Sequence, residues 1–492
     1  MSSRIAKAVA EALSEGVQVG PEALSLLVSI SGKLDPVKIV NKAIREVRKT
    51  HSVTTLTQEE LSKVLPVELL EYEKANIVEP DVIGDLTIDL KISKDISVLP
   101  PSGIEAFHGL LQSRFSKLLK ILKERPDSSQ IISISALKVD PKRTQKIAGL
   151  VLDKSIRRNG IVLVIDDMDA KITCIVSADE LKNTASNILL DQMVMLDIIV
   201  RTRGVSYVKN IYSPDVPEHV PILAKSAIYA VFTSDLQIGS KNFLEDEFRK
   251  FIGWMSGKMG DSYVTKRIRY LVIAGDLVDG IGVYPGQDED LVISDISSQY
   301  KYASDLLKMV PSNIEIIIIP GNHDVSRQAL PRPPIPRKYC EELYEMANVK
   351  MLGDPCFVSL HGIKVLIAHG KSLDDILSTI PGLSFSRPAL GMKLLLKARH
   401  VSPTYSRRTP LAPEFEDRLV IEDVPDIFHS GHIHIVDSEK YKGILLLNSG
   451  TWQGQTPFQA SRGILPISAI VPLVNLSTME VITRNFSMDF ES

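Results

Sequence analysis

Ile314-Glu315-Ile316-Ile317-Ile318-Ile319-Pro320-Gly321-Asn322-His323-Asp324 is the stretch that decides how this chain folds. The apolar, β-branched run reads as a buried strand. The Asn, His and Asp behind it are poor strand residues, so they belong to the turn at the strand's end. The same arrangement recurs four times in the C-terminal half. Ser234-Asp235-Leu236-Gln237 follows Ile228–Phe232, and Gly275-Asp276-Leu277-Val278-Asp279 follows Tyr270–Ile273. His369-Gly370 follows Ile363–Ile367, and Gly431-His432-Ile433-His434 follows Val424–Phe428. Ligands in α/β folds gather beyond the carboxyl ends of strands, so the five polar tips are predicted to converge on one site of an α/β domain.

What converges is carboxylate, amide oxygen and imidazole. A hydrolytic site with two cations roughly 3.5–4 Å apart needs a carboxylate to bridge them. Asp276, ending a strand in the middle of the series, is assigned that role. Asp235 is assigned to one metal, and Asn322 and His369 to the other. His432 and His434 lie two apart, on one side of an extended segment, so one can serve each metal. His323 adjoins a ligand and has Asp324 beside it as an orienting partner. An imidazole so placed can stabilise a phosphorane or protonate the leaving oxygen. Arg327 and Arg332 sit among prolines after this motif and could bind a DNA phosphate bidentately; a solvent-exposed proline loop is the rival reading. Among the other histidines, His429 is read as structural and His361 as part of a hairpin turn. His400 is placed nearer the site or DNA than the core.

This motif set resembles the calcineurin-like metallophosphoesterase superfamily. Around the motifs, in Ser234–Ser240, Ala274–Gln287, Pro320–Asp324, Ala398–Pro403 and Asn448–Gln455, the chain is similar to the small subunits of archaeal D-family DNA polymerases. The likeness runs from about Ile131 to the C-terminus. It implies a β-sandwich flanked by helices and a two-metal 3′→5′ proofreading exonuclease, with Mn2+ expected and Mg2+, Fe or Zn as alternatives. It also implies a large polymerase subunit as partner, single-stranded 3′ ends as substrate, and a sliding clamp as a further partner. One position departs from the pattern. Gln237 stands where the family has a histidine, two residues after the first aspartate. A neutral amide oxygen is a poorer ligand than imidazole for Mn, Fe or Zn. A weakened or purely scaffolding subunit is therefore the alternative, and a stand-alone repair nuclease or phosphatase of the same fold is a third.

The remaining sequence sets limits. A chain of 492 residues is long enough for about three domains. A net charge of −3 gives no global attraction to nucleic acid, so any DNA contact must be local or shared. Three cysteines without a CxxC spacing argue against a disulfide framework or a structural zinc site. No apolar stretch approaches a membrane span and no signal-peptide core is present, so a cytoplasmic, nucleoid-associated protein is expected.

Residues 1–75 are predicted to form a small helical domain, with apolar stripes Ala6/Val9/Leu13, Ala23/Leu26/Leu27 and Val40/Ala43/Ile44/Val47, and with Pro21 and Pro36 at helix starts. Residues 76–103 read as a linker. Residues 104–217 read as a helix (Ile104–Leu122) followed by an OB-fold of short strands, Leu150–Leu152, Ile161–Ile165, Ile172–Val176 and Val194–Arg201 among them, with a helix at Ala178–Ala185. Lys142, Arg143, Arg157 and Arg158 on this barrel could touch phosphate, though a docking role fits equally. Residues 218–492 form the predicted phosphoesterase domain, with helices at Phe243–Met255 and Ser297–Met309.

Overall fold

The computed structural model describes residues 3–15, 17–20, 23, 27, 35–47, 55–56, 61, 64, 87–92 and 103–487, except 203, 260, 261, 406 and 462. The chain divides into two compact units, Met1–Gly84 and Asp85–Ser492. In the first unit, α1 (Ser3–Ser14) and α2 (Pro36–Val47) pack with the short parallel pair β1 (Gln18–Val19) and β2 (Thr55–Leu56). The buried face of α1 is Ile5, Ala8 and Ala12, whereas Leu13 is exposed. The predicted stripe was therefore one residue out of register: alanine is small enough to be chosen for close helix packing. Val40, Ala43 and Ile44 are buried as expected, and α2 begins at Pro36. Pro21 and Leu26 lie outside the described residues.

The second unit is built of two six-stranded sheets and a closed barrel. Within the expected linker, β3 (Leu90–Ile92) is instead an edge strand pairing antiparallel with β13 (Cys356–Leu360). Helix α3 (Gly103–Lys123) follows. The barrel contains β4 (Gln145–Arg157), β5 (Gly160–Asp166), β6 (Lys171–Val176), β7 (Met193–Thr202) and β8 (Val205–Tyr212). Its order is β4-β5-β6-β8-β7, with helix α4 (Asp179–Ser186) between the third and fourth strands. Closure removes free edges. Inward residues such as Ile147, Leu163, Cys174 and Leu196 fill the barrel. Leu118 and Leu122 of α3 pack on Ala148, Leu150, Met193 and Met195 from outside.

The first sheet has β9 (Tyr229–Thr233), β10 (Ile268–Ala274), β11 (Glu315–Ile319) and β12 (Val349–Met351) in parallel, extended by the antiparallel β18 (Ile470–Asn475) and β19 (Glu480–Asn485). The second has β14 (Ile363–Ile367) and β15 (Ile427–Ser430) at its centre, with β16 (Asp437–Tyr441), β17 (Ile444–Asn448), β13 and β3 outward. Strand alternation shows how the layers stack. Ala230 and Phe232 of β9 join Ile367 and Ile427 in one core between the sheets. Tyr229 and Val231 face a second core with Phe248, Phe251 and Tyr300, on helices α5 (Glu245–Met255) and α6 (Ile296–Leu307). Leu366 and Phe428 face a third, with α7 (Leu373–Thr379) and α8 (Pro388–Ala398). The body is thus helix, sheet, sheet, helix. The carboxyl ends of β9, β10, β11, β14 and β15 carry the five motifs. Among the described residues no helix is long and apolar enough to cross a membrane.

Candidate metal centre

Three of the five motifs leave their strands through a backbone that few side chains tolerate. Asp235, Gln237, Asp276, His432 and His434 all have φ between 52° and 68°. Such left-handed, non-glycine residues cost energy and cluster where geometry serves a site. Gly321 is required for a different reason. A Cβ there would fall within the van der Waals radius of the Asp276 carboxylate, so only glycine lets the Asn322 loop close over that group.

Asp276 lies at the centre. Its Oδ1 accepts from the His323 backbone N–H at 2.8 Å, and its Oδ2 accepts from Gln237 Nε2 at 3.1 Å. His369 Nε2 lies 3.5 Å from Asp276 Oδ2 and 3.0 Å from Asn322 Oδ1. The other ring nitrogen, Nδ1, is 2.8 Å from the Ala274 carbonyl. A carbonyl can only accept, so Nδ1 holds a proton and Nε2 is the nitrogen that faces the cluster. Ligand atoms of Asp276, His369 and His432 lie within 4.8 Å of one another and could hold one cation. His434 Nε2 is 3.2 Å from Asp235 Oδ1, which makes a second candidate pair. Asp235 Oδ1 and Gln237 Oε1 are buried without a hydrogen-bond donor. Two orphaned acceptor oxygens beside an imidazole are the donor set a cation would satisfy.

The electrostatics agree. Burial by itself would raise both carboxyls, but His369 and His323 hold Asp276 well below the usual carboxylate range, and His434 lowers Asp235. Burial opposes protonation of His369, yet Asp276 and Asp235 push it up to about 9. Buried carboxylates kept ionised by neighbouring positive charge form a pocket complementary to cations.

His323 is held differently from expectation. Its Nδ1 donates to the Asp279 carbonyl at 2.7 Å, and its Nε2 faces Asp276 Oδ2 at 3.9 Å. Asp324 does not orient it. The Asp324 carboxylate accepts from Gly321 N, Leu277 N and Tyr300 Oη, tying the two loops together from behind, and burial followed by repulsion from Asp276 pushes it up to about 6. Sequence adjacency misled here: successive residues of a turn point apart.

The arginines are also engaged internally. Arg332 is buried, with Nη1 2.6 Å from Asp354 Oδ2, and Asp354 Oδ1 accepts from His369 N. It supports the His369 loop rather than a ligand. Arg327 pairs with Glu414 at 2.8 Å. Arg158 is exposed at the hairpin between β4 and β5. His400 is buried in the core, its Nε2 2.9 Å from Asp417 Oδ2, and so lies neither in the site nor on a DNA surface. His429 is buried against Ser449, and His361 turns the β13–β14 hairpin.

Two residues escaped sequence reasoning. Asp374, on α7, has Oδ2 3.1 Å from His432 Nε2. It is a carboxylate partner that fixes the orientation of the His432 ring. Gln459 Nε2 lies 3.1 Å from His434 Nδ1. The only clue to Asp374 was its position one turn beyond His369-Gly370. Gln459 offered none. The centre opens into a cavity of about 760 Å³, lined by Gln237, Asp276, Asn322, His323, His432 and His434 on one side.

A model of the B-subunit family of DNA polymerases alpha and epsilon matches residues 230–434, the span that carries all five motifs. The DNA polymerase II small subunit of Archaeoglobus fulgidus is 37% identical over 464 residues, covering 92% of this chain and 93% of that protein. This chain belongs to the archaeal DNA polymerase II small-subunit family. The Pyrococcus furiosus DNA polymerase II small subunit is 41% identical over 388 residues, 77% of this chain and 63% of that protein. The chain thus spans less than two thirds of that longer family member. Among solved structures, an archaeal phosphodiesterase aligns over 52% of this chain and 99% of its own, with 14% identity and a TM-score of 0.27.

Proposed function

We propose that this chain is the small subunit of a two-subunit archaeal replicative DNA polymerase and carries a metal-dependent 3′→5′ exonuclease. The observation that carries the reading is the centre around Asp276: seven candidate ligands on five strand ends, two orphaned buried oxygens among them, beside the His323 imidazole. In this reading the two-sheet body is the metallophosphoesterase domain and the five-stranded barrel is an OB-fold. Asp235, Gln237, Asp276 and His434 would hold one divalent cation; Asp276, Asn322, His369 and His432 would hold the other. Bound there, two cations would supply an activated water and neutralise charge on a phosphodiester.

The chain's own side chains do the rest. His323 keeps one proton at Nδ1 on the Asp279 carbonyl, so its Nε2 is free to deliver a second to the departing 3′ oxygen. Asp374 fixes the His432 ring, and Asp324 fixes the loop that carries Asn322 and His323. The large polymerase subunit would dock on the C-terminal half, where β18 and β19 end the first sheet.

The test uses the purified chain, alone and assembled with the large subunit, on single-stranded and 3′-mismatched DNA with Mn2+. Shortening from the 3′ end that disappears in Asp276→Ala supports the proposal. Equal digestion by the variant places the activity elsewhere. A second reading, a scaffold that has lost catalysis, is favoured by one feature alone, Gln237. It predicts no digestion at millimolar Mn2+.

A further inference from the structure

The cavity around the metal centre has a second wall that the chemistry above does not use. Phe385, Ile464 and Leu465 line it, and all three are open to solvent, Phe385 at 42% and Leu465 at 74% exposure. Arg408 lines the same cavity, as does Lys371, which is paired with Asp374 at 2.8 Å. A phenyl ring and two aliphatic side chains left in water beside a buried polar site are unusual enough to need a reason.

The two segments that carry this lip are anchored. Arg387, two residues after Phe385, pairs with Asp437 and Glu439 at 3.2 and 3.0 Å. The Ile464 carbonyl accepts from Gln455 Nε2 at 2.7 Å, and Ile467 N donates to the carbonyl of His434 itself. The apolar lip is therefore built onto the ligand turn and held at a fixed place relative to it.

We propose that this lip is the subsite for the terminal nucleobase of a single-stranded nucleic acid whose phosphodiester lies at the metal centre, with Phe385 as the stacking surface and Arg408 as the phosphate contact. The proposal rests on the phosphodiesterase reading above. Three properties select this occupant. An aromatic face next to cations is how single strands are held, because every base has a π face and every linkage a negative charge. The Phe385, Ile464 and Leu465 side chains offer no hydrogen-bonding group, so the subsite accepts any base. The net charge of −3 means that cations placed at this cavity are local features and not part of a basic surface. The volume, about 760 Å³, lies in the range of small-molecule clefts, roughly 300–1,000 Å³.

The experiment is fluorescence titration of the full chain with a phosphorothioate-protected single-stranded oligonucleotide carrying 2-aminopurine as its 3′-terminal base. Stacking on Phe385 changes the probe's emission in the wild type and in Phe385→Trp. It is lost in Phe385→Ala, with binding weakened roughly 5- to 100-fold, the range that one aromatic–base stack supports. A probe at an interior position should respond little. If Phe385→Ala binds and alters emission like the wild type while the wild type digests unprotected DNA, the subsite is wrong and the nuclease reading stands. If the wild type neither binds nor digests DNA, both fall. If Phe385→Ala keeps its DNA affinity and loses capture of the large subunit, the lip is a protein interface and the proposal is overturned.

Discussion

Gln237 is the residue on which the proposed activity turns. Its Nε2 donates to the Asp276 carboxylate while its Oε1 is buried without a donor, so an oxygen is available to a cation but an imidazole nitrogen is not. Gln237→His should tighten that metal by about 10- to 100-fold, the scale on which support of a metal site acts, and raise digestion at limiting Mn2+ while leaving it unchanged at saturation. Isothermal titration with Mn2+ checks the first part; no change at any concentration removes Gln237 from the ligand set. His323 makes the opposite case. In the proposed reading it acts on substrate and not on metal, with Nδ1 held by the Asp279 carbonyl. His323→Ala should lower turnover by about 10²- to 10⁴-fold and retain both metals on metal analysis. That the polar motifs would sit at strand ends was legible because Asn, His and Asp in a row have no business in a buried strand. The roles of Asp324 and Arg332 were not legible, since each acts on a partner brought near only by folding, Tyr300 for one and Asp354 for the other.

At the scale of elements, hydrophobic runs and periodicity carried most of the reading. Helices α3, α4, α5 and α6 fall within two residues of the predicted spans, because their apolar faces repeat over two to five turns. The strand β3 was hidden: three residues flanked by Asp, Ser and Lys become a strand only because β13 offers a free edge. Helix α7 was hidden for a related reason, being only seven residues long. Yet it brings Asp374 against His432. Burial would raise that carboxyl, but His432 and Lys371 depress it strongly, so it stays ionised throughout the useful pH range. Asp374→Asn keeps the shape and removes the charge. Loss of such an outer carboxylate should weaken the metal shared by Asp276, His369 and His432 by about 10- to 100-fold. Mn2+ binding to the variant, measured without substrate, is the readout; unchanged affinity would reduce Asp374 to a surface charge.

At the scale of the molecule, the second unit is clasped by one buried polar node. Arg114 of α3 donates to Asp417 at 2.7 Å, and His400 reaches the same carboxylate at 2.9 Å, all three side chains buried. His400 Nδ1 accepts from Ser402 N, so Nε2 carries the proton to Asp417 and the ring is neutral. Burial, aided by Arg114, lowers its pKa from 6.5 to about 4. The unfolded chain therefore takes up this proton first, and stability rises with pH between about 4 and 6.5. Asp417, which His400 and Arg114 depress against the effect of burial, acts in the same direction at lower pH. At about 1.4 kcal/mol per pH unit, the His400 window carries on the order of 3 kcal/mol. His429, buried and lowered to about 3, adds to the same slope, so no single substitution should abolish it. His400→Gln is the informative variant: its carboxamide can donate to Asp417 and accept from Ser402 N without titrating. Thermal unfolding between pH 7 and 4 should show a shallower loss of Tm in the variant than in the wild type, with the curves closest at acid pH. Parallel curves would mean that the clasp is not what acid loosens, and that the pH dependence belongs to the carboxylates and imidazoles of the metal centre.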